Sequence, residues 1–116
     1  MASNYRSGTD LERDVVLALK SYYPLVIHSA GSKGVVDVLA LRHDACLLVQ
    51  CKRGERERLS PADWNALWEL AQETYAVPIL AHRPPGKSIR YWRLTGPKIV
   101  GVRNSKPPKV PYHLAG

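Results

Sequence analysis

Two apolar runs rich in β-branched residues, Gly31-Ser32-Lys33-Gly34-Val35-Val36-Asp37-Val38-Leu39-Ala40-Leu41 and Cys46-Leu47-Leu48-Val49-Gln50-Cys51-Lys52, constrain this chain most. Only Arg42-His43-Asp44-Ala45 separates them, so they read as an antiparallel hairpin. Polar groups break each run at one place. Side chains alternate along a strand, so Gln50 and Lys52 share one face while Val49 and Cys51 share the other. A register that sets Asp37 near Gln50 gathers a carboxylate, an amide and an ammonium on one patch of sheet. That combination suits metal-assisted chemistry on a phosphodiester. Structural explanations stand beside it at this level: Asp37 as the start of a bulge, and Lys52 as the end of a strand.

At 116 residues the chain has room for one domain, residues 1–116, with a modest core. Its 45% apolar content suits a packed globule rather than a disordered tail. Seventeen basic against ten acidic residues leave a formal charge of +7, which favours a polyanionic partner, nucleic acid or anionic membrane. No apolar run approaches the roughly 20 residues of a membrane span, and the N-terminus lacks a signal-peptide core, so the expected setting is intracellular and cytoplasmic. Cys46 and Cys51 fall on opposite faces of one predicted strand, which prevents a mutual disulfide. The absence of a Cys-x-x-Cys pair and the scatter of His28, His43, His82 and His113 argue against zinc.

Taken in order, residues 1–8 read as a flexible polar arm carrying Arg6. Thr9-Asp10-Leu11-Glu12 has the capping-box pattern, and Leu11, Val15, Ala18, Leu19 and Tyr22 recur at helical spacing up to Pro24. Leu25 to Ser29 reads as a first strand. Ser29 to Gly34 is a turn of small residues that lets a phosphate backbone approach closely. The charged stretch from Lys52 to Arg58 is either a solvated connection or a DNA contact. Ser60 as N-cap, Pro61 at N1 and Leu59 stapled to Trp64 open a second helix. Its stripe of Trp64, Leu67, Trp68, Ala71 and Tyr75 is core, part dimer surface, or both. Val77 to Ala81 and Ile89 to Leu94 read as further strands, and Lys98 to Val102 as one more extended piece. Beyond it, from about residue 103 to 116, the composition predicts a flexible basic tail.

Helix, three strands, helix and further strands, with an acid in the second strand and an x-Lys ending in the third, is the layout of the PD-(D/E)xK nuclease fold. That is a restriction-endonuclease-like α/β fold with a central mixed sheet flanked by helices. Tyr5-Arg6-Ser7-Gly8-Thr9-Asp10-Leu11-Glu12-Arg13, then Ser29-Ala30-Gly31-Ser32-Lys33, Val36-Asp37 and Gln50-Cys51-Lys52, resembles the archaeal-type Holliday junction resolvases from about Tyr5 to Thr95. The resemblance implies an active centre of Glu12, Ser32, Asp37, Gln50 and Lys52. It implies that Asp37, Gln50, the Cys51 backbone carbonyl and Glu12 hold Mg²⁺, for which Mn²⁺ can substitute. Arg13 and Lys33 match family positions, and Arg6, Arg53, Arg56 and Arg58 complete the expected DNA-binding set. Two positions depart from the pattern: His28 stands where arginine is usual, and Gln50 where a metal-binding glutamate is expected.

The implied activity is a magnesium-dependent endodeoxyribonuclease that makes paired symmetric cuts in four-way junctions and leaves 5′-phosphates. The alternatives are a nuclease for other branched or flapped DNA, and a catalytically weak junction-binding protein. The substrate has approximate two-fold symmetry, so one site per chain implies a homodimer. Trp64, Trp68, Tyr75 and the neighbouring strand are the interface candidates. Neither a membrane nor a small-molecule cofactor is expected as a partner. The small, arginine-rich chain is also compatible with a phage gene acting in a host cytoplasm.

Overall fold

The computed structural model describes residues 3–29, 34–56, 58–99 and 106–115, the side chains among them from Asp10 onward. In chain order the elements are α1 (Ser3–Lys20), β1 (Leu25–His28), β2 (Val38–Arg42), β3 (Ala45–Arg53), α2 (Pro61–Thr74), β4 (Val77–Arg83), β5 (Arg90–Leu94) and β6 (Lys109–Pro111). The strands form one sheet in the order β1-β2-β3-β4-β5-β6. All neighbours run antiparallel except β3 and β4, which are parallel because α2 carries the chain across between them. This is the expected mixed sheet flanked by helices.

Period-two alternation sorts the strands into two cores. Val38, Ala40, Leu47, Val49, Ile79 and Ala81 pack with Leu11, Val15 and Leu19 of α1. Leu48, Leu80 and Leu94 face the other way, onto Trp64, Leu67 and Ala71 of α2. β3 and β4 are thus covered on both faces, which explains their nearly unbroken apolar runs. Cys51 packs on the α1 side and Cys46 on the α2 side, both as free thiols.

Helix α2 starts as its sequence dictates: Ser60 Oγ accepts the Asp63 amide at 3.1 Å, and Pro61 occupies the first turn. Leu59 and Trp64 are both buried in the same cluster. The helix closes with Tyr75 at φ 56°, while the Ala76 amide reaches back to Ala71 O at 2.9 Å.

Four expectations need correction. Helix α1 begins at Ser3, so residues 3–8 are its first turns and Thr9 and Glu12 lie inside it, where neither can form a capping box. Gly8 costs about 1 kcal/mol in a helix interior, too little to stop a helix already anchored by its apolar stripe. That stripe ends on Tyr23, 2% exposed, while Tyr22 is 44% exposed, because the chain turns at Ser21 before Pro24.

The third correction concerns the C-terminal end. Residues 109–111 form edge strand β6, with Trp92 opposite Pro111 and Leu94 opposite Lys109. Thr95 N donates to Pro108 O at 2.8 Å and Tyr112 N to Tyr91 O at 2.9 Å. A three-residue strand is too short for any periodicity, and prolines are tolerated there because an edge needs no outward donor. Finally, Lys98 and Ile99 are not strand. Asn65 clamps this segment with its side chain, accepting from Lys98 N at 2.7 Å and donating to Lys98 O at 3.1 Å. Residues 100–105 lie outside the described residues.

Candidate active site

The register of the β2–β3 hairpin builds the site. Val38 pairs with Val49, and Asp37 N donates to the same residue's carbonyl, Val49 O, at 2.8 Å, one residue out of that register, so the ladder ends in a β-bulge at Asp37 that brings its side chain to Gln50 and Cys51. Asp37 is 5% exposed. Its Oδ2 accepts the Cys51 amide at 2.8 Å and the Gln50 side-chain amide at 3.2 Å. Burial raises the Asp37 carboxyl above the usual carboxylate range; the Cys51 amide opposes this, the Glu12 charge adds to it and His28 opposes it. With its nitrogen committed to the carboxylate, Gln50 leaves Oε1 buried and, among the described residues, unpartnered.

Glu12 reaches the same end of the sheet from α1, where its Oε1 pairs with His28 Nε2 at the end of β1. His28 is opposite Val38, so the pair lies on the α1 face. Glu12 remains electrostatically coupled to Asp37. Cys51 is held as a neutral thiol: burial raises its pKa strongly, and Asp37 and Glu12 add to the effect. Lys52 is exposed and sits opposite His82, whose Nε2 bonds Gly54 O at 2.7 Å.

The structure thus brings together Glu12, Asp37, Gln50 and the Cys51 backbone, with Lys52 two residues along the same face as Gln50. Arg13, Arg53, Arg56 and Arg58 are exposed. Ser32 and Lys33 fall outside the described residues, as does the side chain of Arg6, whose backbone lies on α1. The role of His28 as partner of Glu12 was not legible beforehand. Its signals were its place at the end of a strand that a helix covers and its departure from the arginine usual at that position.

The profile of the archaeal Holliday junction resolvases matches residues 3–105. The chain belongs to that family. A solved structure of a Holliday junction resolvase from Archaeoglobus fulgidus, an archaeal hyperthermophile, superposes with a TM-score of 0.62 at 22% identity, covering 94% of this chain and 87% of that one. This confirms the fold expected from the order of elements. No curated protein sequence matches the chain.

Resolvases of this PD-(D/E)xK type are nucleases that work with a divalent metal. Among the described residues no three His, Cys, Asp or Glu side chains cluster as a ligand set. The donors here are mixed: one carboxylate, one amide oxygen and backbone. They fit a hard cation nonetheless, because the orphaned Gln50 Oε1 beside the desolvated Asp37 carboxylate is a buried acceptor pair in need of positive charge. Also among the described residues, no helix is long and apolar enough to cross a membrane.

Proposed function

We propose that this chain resolves four-way DNA junctions by paired symmetric cuts, as a Mg²⁺-dependent endonuclease with Mn²⁺ as substitute, working as a two-fold homodimer on DNA inside the cell. The observation that carries the reading is the contact of the Asp37 carboxylate with the Gln50 side chain and the Cys51 amide, with Glu12 in electrostatic reach. Asp37, Gln50 Oε1 and the Cys51 carbonyl would hold the metal, with Glu12 contributing. When bound, the metal supplies Lewis-acid polarisation of a non-bridging phosphate oxygen.

The remaining chemistry belongs to this chain's own side chains. The Lys52 ammonium stands beside the attacking water, favours its deprotonation, and stabilises charge gathering on the phosphorane oxygens. Asp37 needs a cation to ionise comfortably, because its burial penalises the bare carboxylate. Ser32 hydrogen-bonds the phosphate. In-line attack leaves a 5′-phosphate and a 3′-hydroxyl.

For the dimer, Trp64 drops out of the interface candidates: it is fully buried within its own subunit and donates Nε1–H to Gly96 O at 2.8 Å. Trp68 is partly buried, and Tyr75 is 95% exposed at the end of α2. Leu25 and Ile27 of β1 are also exposed and apolar, and pair with Leu41 and Leu39. They extend the candidate surface onto the neighbouring strands.

A second reading, junction binding without cutting, is favoured by one observation: Gln50 brings no charge to the metal position. A cleavage assay on a synthetic four-way junction, with flaps and linear duplex as comparators, across Mg²⁺ and Mn²⁺ titrations separates the readings. Paired opposed cuts that vanish in Asp37→Ala are expected. Tight junction binding without cutting at any metal concentration would overturn nuclease activity, and preferred cutting of flaps would redirect it to other branched DNA.

A further inference from the structure

Beyond the catalytic strand lies an open cleft of about 710 Å³ with four segments in its wall. The loop after β3 supplies Arg56 and Arg58, the β4–β5 turn Lys87, the start of β5 Arg90, and edge strand β6 Lys109, with Glu55 as the acid among the described lining residues. Arg56, Arg58, Lys87 and Arg90 are exposed, and among the described residues none of them is paired with a carboxylate. Pro84, Pro85 and Pro107 line the same cleft, and their fixed φ angles stiffen it.

Register ties the cleft to the catalytic end of β3. Lys52 is opposite His82, and His82 is opposite Arg90, so the three stand in one row across β3, β4 and β5. His82 itself lines the cleft. Period two keeps Lys52, His82 and Arg90 on the sheet face shared by Leu80 and Leu94, the α2 side. Lys109, opposite Leu94, joins the same face, with its ammonium 4.6 Å from the Trp92 ring centroid. Two strand spacings separate Lys52 from Arg90, roughly 10 Å. That is a short step along one DNA strand, about one to two nucleotides of its phosphate backbone, which winds round the axis as it rises.

We propose that this cleft is a second DNA-binding site, the track for the phosphodiester backbone of one junction arm leaving the scissile phosphate. It rests on the junction-cleaving function proposed above. Arg90 and Lys87 contact phosphates about one to two nucleotides from the cut, and Arg56 and Arg58 close the opposite wall. The β6 edge, which composition alone assigns to a flexible tail, becomes part of the substrate surface through Lys109. Bound here, the arm is aimed so that its scissile phosphate meets Lys52.

The test measures binding of an immobile four-way junction by the intact protein in EDTA over a salt series, for wild type, Arg56→Ala, Lys87→Ala, Arg90→Ala and the control Lys20→Ala. Lys20 is exposed at the end of α1, outside the cleft. Each cleft substitution should lower the slope of log affinity against log salt by about one, whereas Lys20→Ala should not change it. Replacing the phosphates about one to two nucleotides from the cut with methylphosphonates should weaken wild type and leave Arg90→Ala with no further loss, the non-additivity of a shared contact. Wild-type cutting of junctions, together with unchanged slopes in cleft variants of wild-type Tm, would overturn the track alone. Wild type that neither binds nor cuts junctions would overturn the function and the track together.

Discussion

Gln50 donates its amide hydrogen to Asp37 Oδ2 at 3.2 Å and keeps its own carbonyl oxygen buried without a partner among the described residues. The pair is the centre of the site and a local polar defect in the fold. A buried acceptor left unpaired costs on the order of 1–3 kcal/mol. A cation held by Asp37 and Gln50 would offset both this and the desolvation of Asp37.

Gln50→Glu should therefore trade apo stability for metal affinity. Its carboxylate would stand against buried Asp37, and two like charges at that distance raise one another's pKa. In EDTA at neutral pH the variant should melt several degrees below wild type, and saturating Mg²⁺ should recover most of that loss. Calorimetric titration should show Mg²⁺ binding at least about tenfold tighter. Equal affinities would remove Gln50 from the ligand set.

Asp37 sets a pH dependence whose sign follows from its raised pKa. The folded state holds the proton more tightly than the unfolded chain. Stability therefore falls as pH rises from the ordinary carboxylate pKa, about 3.9, through the raised folded value. Asp37→Asn keeps an oxygen for the Cys51 amide and sheds the charge. Its Tm should exceed that of wild type by a few degrees at pH 7 in EDTA, converge with it near pH 3, and cleavage should be lost. Parallel thermal melts over pH 3–8 decide this.

The turn after α1 separates two adjacent tyrosines. Tyr23 is 2% exposed, and its hydroxyl lies 3.5 Å from that of Tyr112, with the Arg42 guanidinium 4.7 Å from its ring centroid. Burial, then the hydrogen bond with Tyr112, pushes its hydroxyl up to about 12. Tyr23→Ala should cost about 3–5 kcal/mol in urea denaturation, as for other buried aromatics. Tyr22→Ala should cost less than about 1 kcal/mol.

Asn65 and Lys98 make a strut in place of a strand. Besides the two Asn65 bonds, Lys98 Nζ donates to Leu59 O at 2.8 Å and lies 4.6 Å from the Trp64 ring centroid. Asn65→Ala should destabilise by roughly 1–3 kcal/mol. Amide exchange of Lys98, whose hydrogen Asn65 accepts, should accelerate well before that of β4.

Tyr75 sits in the left-handed region, where a non-glycine residue is strained by about 1 kcal/mol. Tyr75→Gly should stabilise the subunit by roughly 0.5–1 kcal/mol and, if Tyr75 lies in the dimer interface, weaken the dimer in sedimentation equilibrium. A gain in both would take Tyr75 out of the interface.

Much of this fold follows from local pattern. The β2–β3 runs, the Ser60-Pro61 helix start and the period-two strands made the mixed sheet and the Asp37–Gln50 pairing legible, because alternation and capping act within a few residues and leave marks in composition. The elements that local pattern does not reveal depend on distant partners. Glu12 looked like a cap because Thr9 stands three residues before it; only the helix running back to Ser3, and His28 sixteen residues on, free it for the site. β6 becomes a strand because β5 offers it an edge. The basic cleft likewise draws on four segments separated along the chain, and only the sheet, setting Lys52, His82 and Arg90 in one row, brings their charges together. By itself the sequence determined which residues have the chemistry, since residue type and spacing are local. The tertiary structure alone decided which of them meet, because a register, a helix docking and an edge pairing are settled by burial between parts of the chain that carry no record of each other.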